Sequence, residues 1–509
     1  MQRKKLTLVI VSLLVVVLSV SLAYFTAQII GTGKEVSVTS ANLQIIFKDE
    51  DGAISDTSIE PGWTSTKTFT VKNSTKSEYK YNIVLKDLVN TFVTTGYLQY
   101  KITSDNNGYN MTEFKDIPKS NTATDTVLAY NVSVPVGTTQ TYTIEFKYSN
   151  DENVDQSKDM GMKLSCTLFI TEGYKTNNYA TDTLVSKLLS DKNVINTYRP
   201  NGFNNTYTAD NTNTLYTSTE DNTLVYYFAG DARNNWLKFG KNASNQDLYW
   251  RIIRTNSEGS VRLLYHGTST ESTDAYIGTS AFNTIIDNPM YVGYMYGTSG
   301  SLVNNRTNIN NSTIKEVIDT WYASNLEAKG YTKYLSTTAV YCNDRSVTNG
   351  SYSTGSLFDY AARTRLITNK TPTYDCASIE DKFTVDTSTG NGKLTYPIAL
   401  MTADEAVFAG GVWATNAETW YYKNSANGSS TGSTWWWLMS PSYWDVSDAC
   451  IFHIDGSDYP GFLGNGGRVN YAFGARPVIS LKACVKTSGG NGSASDPYTI
   501  KETTSTSGC

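Results

Sequence analysis

The sequence predicts a multidomain protein, an N-terminal all-β sandwich followed by an α+β domain. Three observations predict it. Between about Lys34 and Glu172, seven short segments alternate apolar and polar residues with period 2. Beyond about Tyr226 the grammar changes, and helix-start boxes appear among the strands. The composition has only 17% charged residues, against ~25% in typical soluble domains. Polarity comes instead from Asn, Ser, Thr, Gly and 36 Tyr, which suits an extracellular β-rich protein. The net charge of −5 and the absence of a long basic run argue against a nucleic-acid partner.

The first element is an export signal or a membrane anchor, residues 1–23. Arg3, Lys4 and Lys5 precede the uncharged run LTLVIVSLLVVVLSVSLA. Small residues at Ser21 and Ala23 permit cleavage before Tyr24, and an uncleaved anchor is the alternative. Either way the remainder is expected outside the cytoplasm, extracellular or at the cell surface. Disulfides are then permissible. Six cysteines allow 15 connectivities. Cys342–Cys376 is the expected bridge, because the pair flanks a Gly/Ser/Thr-rich segment that a staple would hold. Cys509 is expected to be free. No CxxC and no Cys/His cluster with zinc spacing occurs, so no metal and no cofactor is implied.

Residues 24–172 form the sandwich. VSVTSANLQIIF, TKTFTVKN, YKYNIVLKDL, YLQYKITS, VLAYNVSVPVG, QTYTIEFKYS and MKLSCTLFITE read as strands, parted by DEDG, NSTKS, SDNNG and VGTT. With the leader, the Pro61-Gly62 turn in IEPGWTSTKTFTVKN and Asn73 after that strand, this part resembles the TasA/camelysin family of secreted Gram-positive proteins. The resemblance implies a jelly-roll sandwich behind a signal peptide, and for some members assembly into biofilm fibres. Tyr24–Phe47 would then act as a donor strand for a neighbouring subunit, or else be an ordinary first strand. Asp49, Asp51 and Asp56 in KDEDGAISD read as an acidic turn before they read as a Ca²⁺ site.

Residues 173–225 read as a linker with a short helix near Thr181–Leu189 and an exposed Asn/Thr-rich loop over Asn193–Asn222. Residues 226–486 form the α+β domain, and residues 487–509 a Gly/Ser/Thr-rich tail. STIKEVIDTWYASNL is the clearest helix, with Thr313 and Glu316 as its capping box. Thr402-Ala403-Asp404-Glu405 repeats the box, and Gly410-Gly411 stops the second helix. Trp250-Arg251-Ile252-Ile253, Cys342-Asn343-Asp344-Arg345, Tyr396-Pro397-Ile398, Trp436-Trp437-Leu438-Met439-Ser440-Pro441 and Arg476-Pro477-Val478 follow in an order that resembles an uncharacterised domain of secreted Firmicutes proteins. Its ending is similar to C-type-lectin-like and formylglycine-generating-enzyme-like folds. That resemblance implies one surface built by a Trp-rich strand, an irregular segment and a closing strand.

Catalytic motifs are missing: no GxSxG, HExxH, Walker A or GxGxxG pattern occurs. His266 reads as a turn residue, and His453, opposite in phase to Phe452 and Ile454, as facing solvent. Cys450 stands alone where an oxidase of the formylglycine-generating type needs paired cysteines. The chain is expected not to be an enzyme, an extracellular hydrolase or oxidase being the alternative. Trp250, Trp321, Trp436 and Arg476 read as structural, Arg476 donating to backbone carbonyls.

From Tyr443 to Ala475 the chain contains Tyr, Asp, Ser, Gly, Asn, Arg, Phe and His but no Lys, Glu, Gln or Met. Binding surfaces favour this palette. The expected contact residues are Tyr443, Trp444, Asp445, His453, Asp455, Asp458, Tyr459, Arg468 and Tyr471. The C-type-lectin-like resemblance implies a second origin, adenine-directed diversification of such segments, to which Trp444 is an exception. The partner would be a surface protein or a glycan. The rival reading is a structural matrix protein that assembles through its first domain.

Overall fold

The computed structural model describes residues 59–73, 79–173 and 176–509, together with the backbone of four strands, Thr26–Ile29, Val36–Ser40, Leu43–Asp49 and Ile54–Asp56. Residues 1–23 lie outside the described residues, as do the side chains of the donor-strand segment and of Asp49, Asp51 and Asp56. The chain is mostly β-sheet and divides into two units, Met1–Lys175 and Thr176–Cys509.

In the first unit two sheets share one core. The five-stranded sheet runs Ile54–Asp56, Thr26–Ile29, Lys163–Glu172, Tyr79–Asn90, Ser120–Val134. The six-stranded sheet runs Val36–Ser40, Leu43–Asp49, Thr64–Asn73, Thr139–Tyr148, Leu98–Ser104, Lys115–Asp116. Period-2 alternation places Tyr142, Ile144, Phe146 and Tyr148 inward from one sheet and Tyr81, Ile83 and Leu85 inward from the other. Phe69 stacks on Tyr142 at 4.8 Å. The Tyr81 hydroxyl donates to Gln140 Oε1 at 2.7 Å, so the polar ends of this core pair with each other. Pro61-Gly62 makes the expected turn: Gly62 adopts φ +97 and donates to the Tyr148 carbonyl. Buried Asp159 ties the ends together, accepting from Tyr148 Oη and from the Val93 and Thr94 amides. Burial pushes its carboxyl upward, but these donors outweigh it and hold the group below its ordinary value.

In the second unit a ten-stranded and a seven-stranded sheet share a core with helices that include Leu184–Asp191, Thr313–Tyr322 and Ala403–Ala409. Thr402 and Glu405 form the predicted capping box, and Gly410 at φ +128 ends that helix. The helix Thr313–Tyr322 corrects the sequence by one residue. Ser312, extended at φ −73 and ψ 160, is its cap and accepts from the Lys315 amide, whereas Thr313 is already helical.

Three further expectations change. Asn193–Asn222 is only in part an exposed loop: residues 196–213 carry no helix or strand and are mostly exposed, but Asn193–Ile195 and Thr214–Glu220 are neighbouring strands of the ten-stranded sheet. Leu215, Tyr216 and Thr217 are consecutive and buried there, so the strand carries no alternating hydrophobic rhythm. The tail 487–509 also joins this sheet, through Thr487–Gly489 and Tyr498–Ile500. Cys509 is not free but bridged to Cys484. The Cys342–Cys376 bridge forms, with Cα atoms 5.7 Å apart across 34 residues of sequence. Two disulfides fit an oxidising, extracellular setting. Among the described residues no helix is long and apolar enough to cross a membrane.

Candidate ligand-recognition site

The predicted segment folds as a three-strand meander in the seven-stranded sheet: Trp436–Trp444, Ala449–Ile454 and Leu463–Arg468. Its two turns lie at opposite ends of the ladder. Cys450 pairs with Arg468 at one end and Ile454 with Leu463 at the other. The nine candidates therefore do not form one surface. Tyr443, Asp445 and Arg468 gather at the first turn, whereas Asp458 and Tyr459 are exposed at the second. Tyr471 follows Arg468, its amide donating to the Arg468 carbonyl at 2.9 Å.

Three candidates are buried, which corrects the expectation that they meet a ligand. Trp444 is 1% exposed, lies between Phe358 and Ala449 in the sheet, and its indole N–H donates to the Thr354 carbonyl. His453 is 5% exposed and Asp455 3%. The phase argument for His453 fails because both faces of this sheet are covered. Its imidazole stacks on Trp435 at 5.2 Å and 7° and lies beside Phe473. A Cβ at Gly464 would meet that ring at 2.2 Å, and one at Gly467 would meet Trp437 at 2.7 Å. The glycines of LGNGGR thus make room for two rings, which explains part of the palette by packing alone. The imidazole Nε2 is 3.2 Å from Asp455 Oδ1.

His266 also differs from expectation. It lies within the strand Val261–Gly267, fully buried edge-on against Trp236 at 4.4 Å. Burial, then the nearby Arg476 and Arg251 charges, keeps its imidazole well below the ordinary value and neutral. Trp250 donates to the Phe239 carbonyl, and Trp321 is half-buried against Tyr265. Arg476 donates to the Tyr265 and Tyr421 carbonyls and lies over buried Trp436 at 4.7 Å.

The first turn is held tightly. Asp445 Oδ1 accepts from the Ser447 amide at 3.0 Å, the Ser447 hydroxyl at 2.9 Å and the Asp448 amide at 2.6 Å. Burial raises the Asp445 carboxyl, but these donors outweigh it and bring it below its usual value. Arg468 bridges Asp448 at 3.0 Å. Tyr443 has the Arg363 guanidinium over its ring at 4.9 Å. Burial, then the electrostatic interaction and the hydrogen bond with Cys450, drives the phenol far above its ordinary value, so it stays protonated. Burial pushes the Cys450 thiol up to about 12, so it is unreactive at neutral pH.

Sequence reasoning missed four participants. Val446, at the apex, has φ +81 and is 45% exposed. A β-branched residue in this region is strained, by about 1–3 kcal/mol, and such strain concentrates at functional sites. Ile285 and Leu357 are also exposed. They border the turn, because Ile286 accepts from the Ala449 amide and Phe358 pairs with Trp444. Arg363 is the fourth. Val446 lies within the predicted segment, but its positive φ has no signal in a β-branched residue; Ile285, Leu357 and Arg363 are brought in from distant segments by the fold.

Buried charges elsewhere do not make a site. Glu405 Oε1 accepts from Arg254 and Arg262, both at 2.9 Å, and Glu220 pairs with Arg254 at 2.7 Å. Arg365 bridges Asp404 and Asp344. Burial opposes ionisation of Glu405, but Arg262 and Arg254 override it and keep the carboxyl depressed. The cavity among these groups is ≈ 20 Å³, enough for about one water. Among the described residues no group of three or more His, Cys, Asp or Glu could hold a metal ion. Comparison of the chain with protein-family models, with curated proteins and with solved structures finds no match.

Proposed function

We propose that the chain is a secreted or cell-surface binding protein, adhesin-like, in which a TasA/camelysin-like jelly roll carries a C-type-lectin-like recognition domain. The observation that carries this reading is the Trp444–Ala449 turn. A strained, exposed Val446 sits in the turn that follows the fully buried Trp444, and Asp445 closes that turn by accepting from the Ser447 and Asp448 amides. Such rigidity lowers the ordering cost of binding. Exposed aromatic, apolar and guanidinium groups lie together there, the residue types that anchor protein and glycan partners. The test is binding of the full-length chain to an immobilised glycan array and to displayed surface proteins, with a Tyr443→Ala/Arg468→Ala/Tyr471→Ala variant as control. Binding by the parent that the variant loses supports the reading, and equal binding by both contradicts it.

A second reading, a fibre-forming matrix protein, draws on the first unit. Ser120–Val134 is a 15-residue strand at the edge of its sheet, and such edges accept added strands. Filaments in electron micrographs that persist in the same triple variant would favour it.

A further inference from the structure

A larger cavity of ≈ 460 Å³ opens in the second unit, within the roughly 300–1,000 Å³ range of small-molecule sites. It lies at the end of the helix Leu184–Asp191, and its walls come from that helix, the Thr212-Asn213 segment, Arg233-Asn234 and the Asn491–Ser493 loop. Three cations line it, Lys187, Lys192 and Arg233, against one carboxylate, Asp191. Two cations are engaged, Lys187 with Asp191 at 2.9 Å and Arg233 with Asp231 at 3.0 Å. Lys192 differs. It is 7% exposed, and among the described residues no carboxylate lies within ion-pair distance of it. Its ammonium is not spent on the helix carbonyls but donates to the Asn491 carbonyl at 3.2 Å, with the Tyr498 ring 5.5 Å away. A buried ammonium with one neutral acceptor is costly, and an anion in the cavity would offset that cost.

The rest of the lining is amide and hydroxyl. Asn213, Asn234, Asn491, Thr212 and Ser493 all face the cavity, and no large apolar side chain lines it. Asn234 is 7% exposed; its amide donates to Asn213 at 2.8 Å, and its carbonyl oxygen is buried without a partner. The loop opposite is fixed, since Gly492 at φ +82 accepts from the Trp236 amide and a Cβ there would meet the Asn234 carbonyl at 2.3 Å. Side-chain amides both donate and accept, as sugar hydroxyls do.

We infer that this cavity binds a sugar carboxylate of the uronic-acid type, its carboxylate on Lys192 and its hydroxyls on the more exposed Asn213, Asn491 and Ser493. A bare inorganic anion would leave most of the volume and the amide wall unused. The test is calorimetric titration of the full chain with glucuronate, glucose and inorganic phosphate as probes. Glucuronate is expected to bind, and glucose to bind at least about tenfold more weakly. Lys192→Gln should lose a similar factor and Lys192→Arg should retain most of the affinity. Burial, opposed by the Asp191 charge and helped by that of Lys187, lowers the Lys192 ammonium to about 8, so affinity should fall as pH rises through that value, a readout that needs no variant. No saturable glucuronate binding, or equal binding of glucose, overturns the proposal. Phosphate binding as tightly as glucuronate overturns its sugar half.

Discussion

The two units close their cores with different polar chemistry. The first relies mainly on hydroxyls and amides, as where Tyr81 reaches Gln140 and the Tyr109 amide donates to the Tyr142 oxygen, with one buried carboxylate, Asp159, held by neutral donors. The second buries arginines: Arg254 and Arg262 on Glu405, Arg345 on Asp381, and Arg476 and Arg251 against carbonyls and tryptophan faces. The consequence is a different sensitivity. Losing one partner from a neutral pair removes a hydrogen bond, whereas losing one from a buried ion pair strands a charge.

The largest effect should come from Glu405→Gln, which leaves Arg254 and Arg262 facing a neutral amide. Unfolding of the second unit should become easier by about 3–5 kcal/mol in denaturant titration, with the first unit's transition unmoved. Acid should reproduce the effect. Glu405 and Glu220 are depressed below the ordinary 4.5. Their contribution is whole above that value and is lost as pH falls below it, because the unfolded chain takes up protons the folded one resists. A second unit whose stability does not fall as pH drops below that value would contradict this.

Removal of the Cys342–Cys376 bridge by double Ser substitution should cost about 3–4 kcal/mol, given the 34-residue separation it closes. Tyr142→Phe in the first unit should cost only about 1–2 kcal/mol by the same titration. The smallest effect has the opposite sign. Val446→Gly relieves a positive φ and should stabilise the second unit by about 1 kcal/mol while weakening ligand capture. A destabilised Val446→Gly protein would show that the strain is not real.

Legibility in the sequence follows the same division. The first unit's alternation is readable because each strand there has one face on the core and one on water, as in Thr139–Tyr148. The Trp436–Trp444 strand is buried on nearly every residue, so alternation carries no information there. That is why Trp436 and Trp437 are both interior, and why phase misplaced His453. The box at Thr402 was readable because Glu405 stands three residues on, whereas at the helix Thr313–Tyr322 the same T-x-x-E pattern pointed to Thr313 and only backbone geometry shows Ser312 as the cap. At the candidate site, Tyr443, Asp445, Arg468 and Tyr471 were legible by residue type. Arg363, Ile285 and Leu357 were not, since tertiary pairing alone brings them near. Cys450, His453 and Asp455 lie inside, so packing constrains these positions of Tyr443–Ala475.

The most direct test compares the two turns of the meander on the full-length chain. Capture on the glycan and surface-protein arrays is measured for Tyr443→Ala/Arg468→Ala and for Asp458→Ala/Tyr459→Ala. The account predicts that the first pair abolishes capture and the second leaves it intact. Capture lost with the second pair, or kept with both, would contradict placing recognition at the Trp444–Ala449 turn.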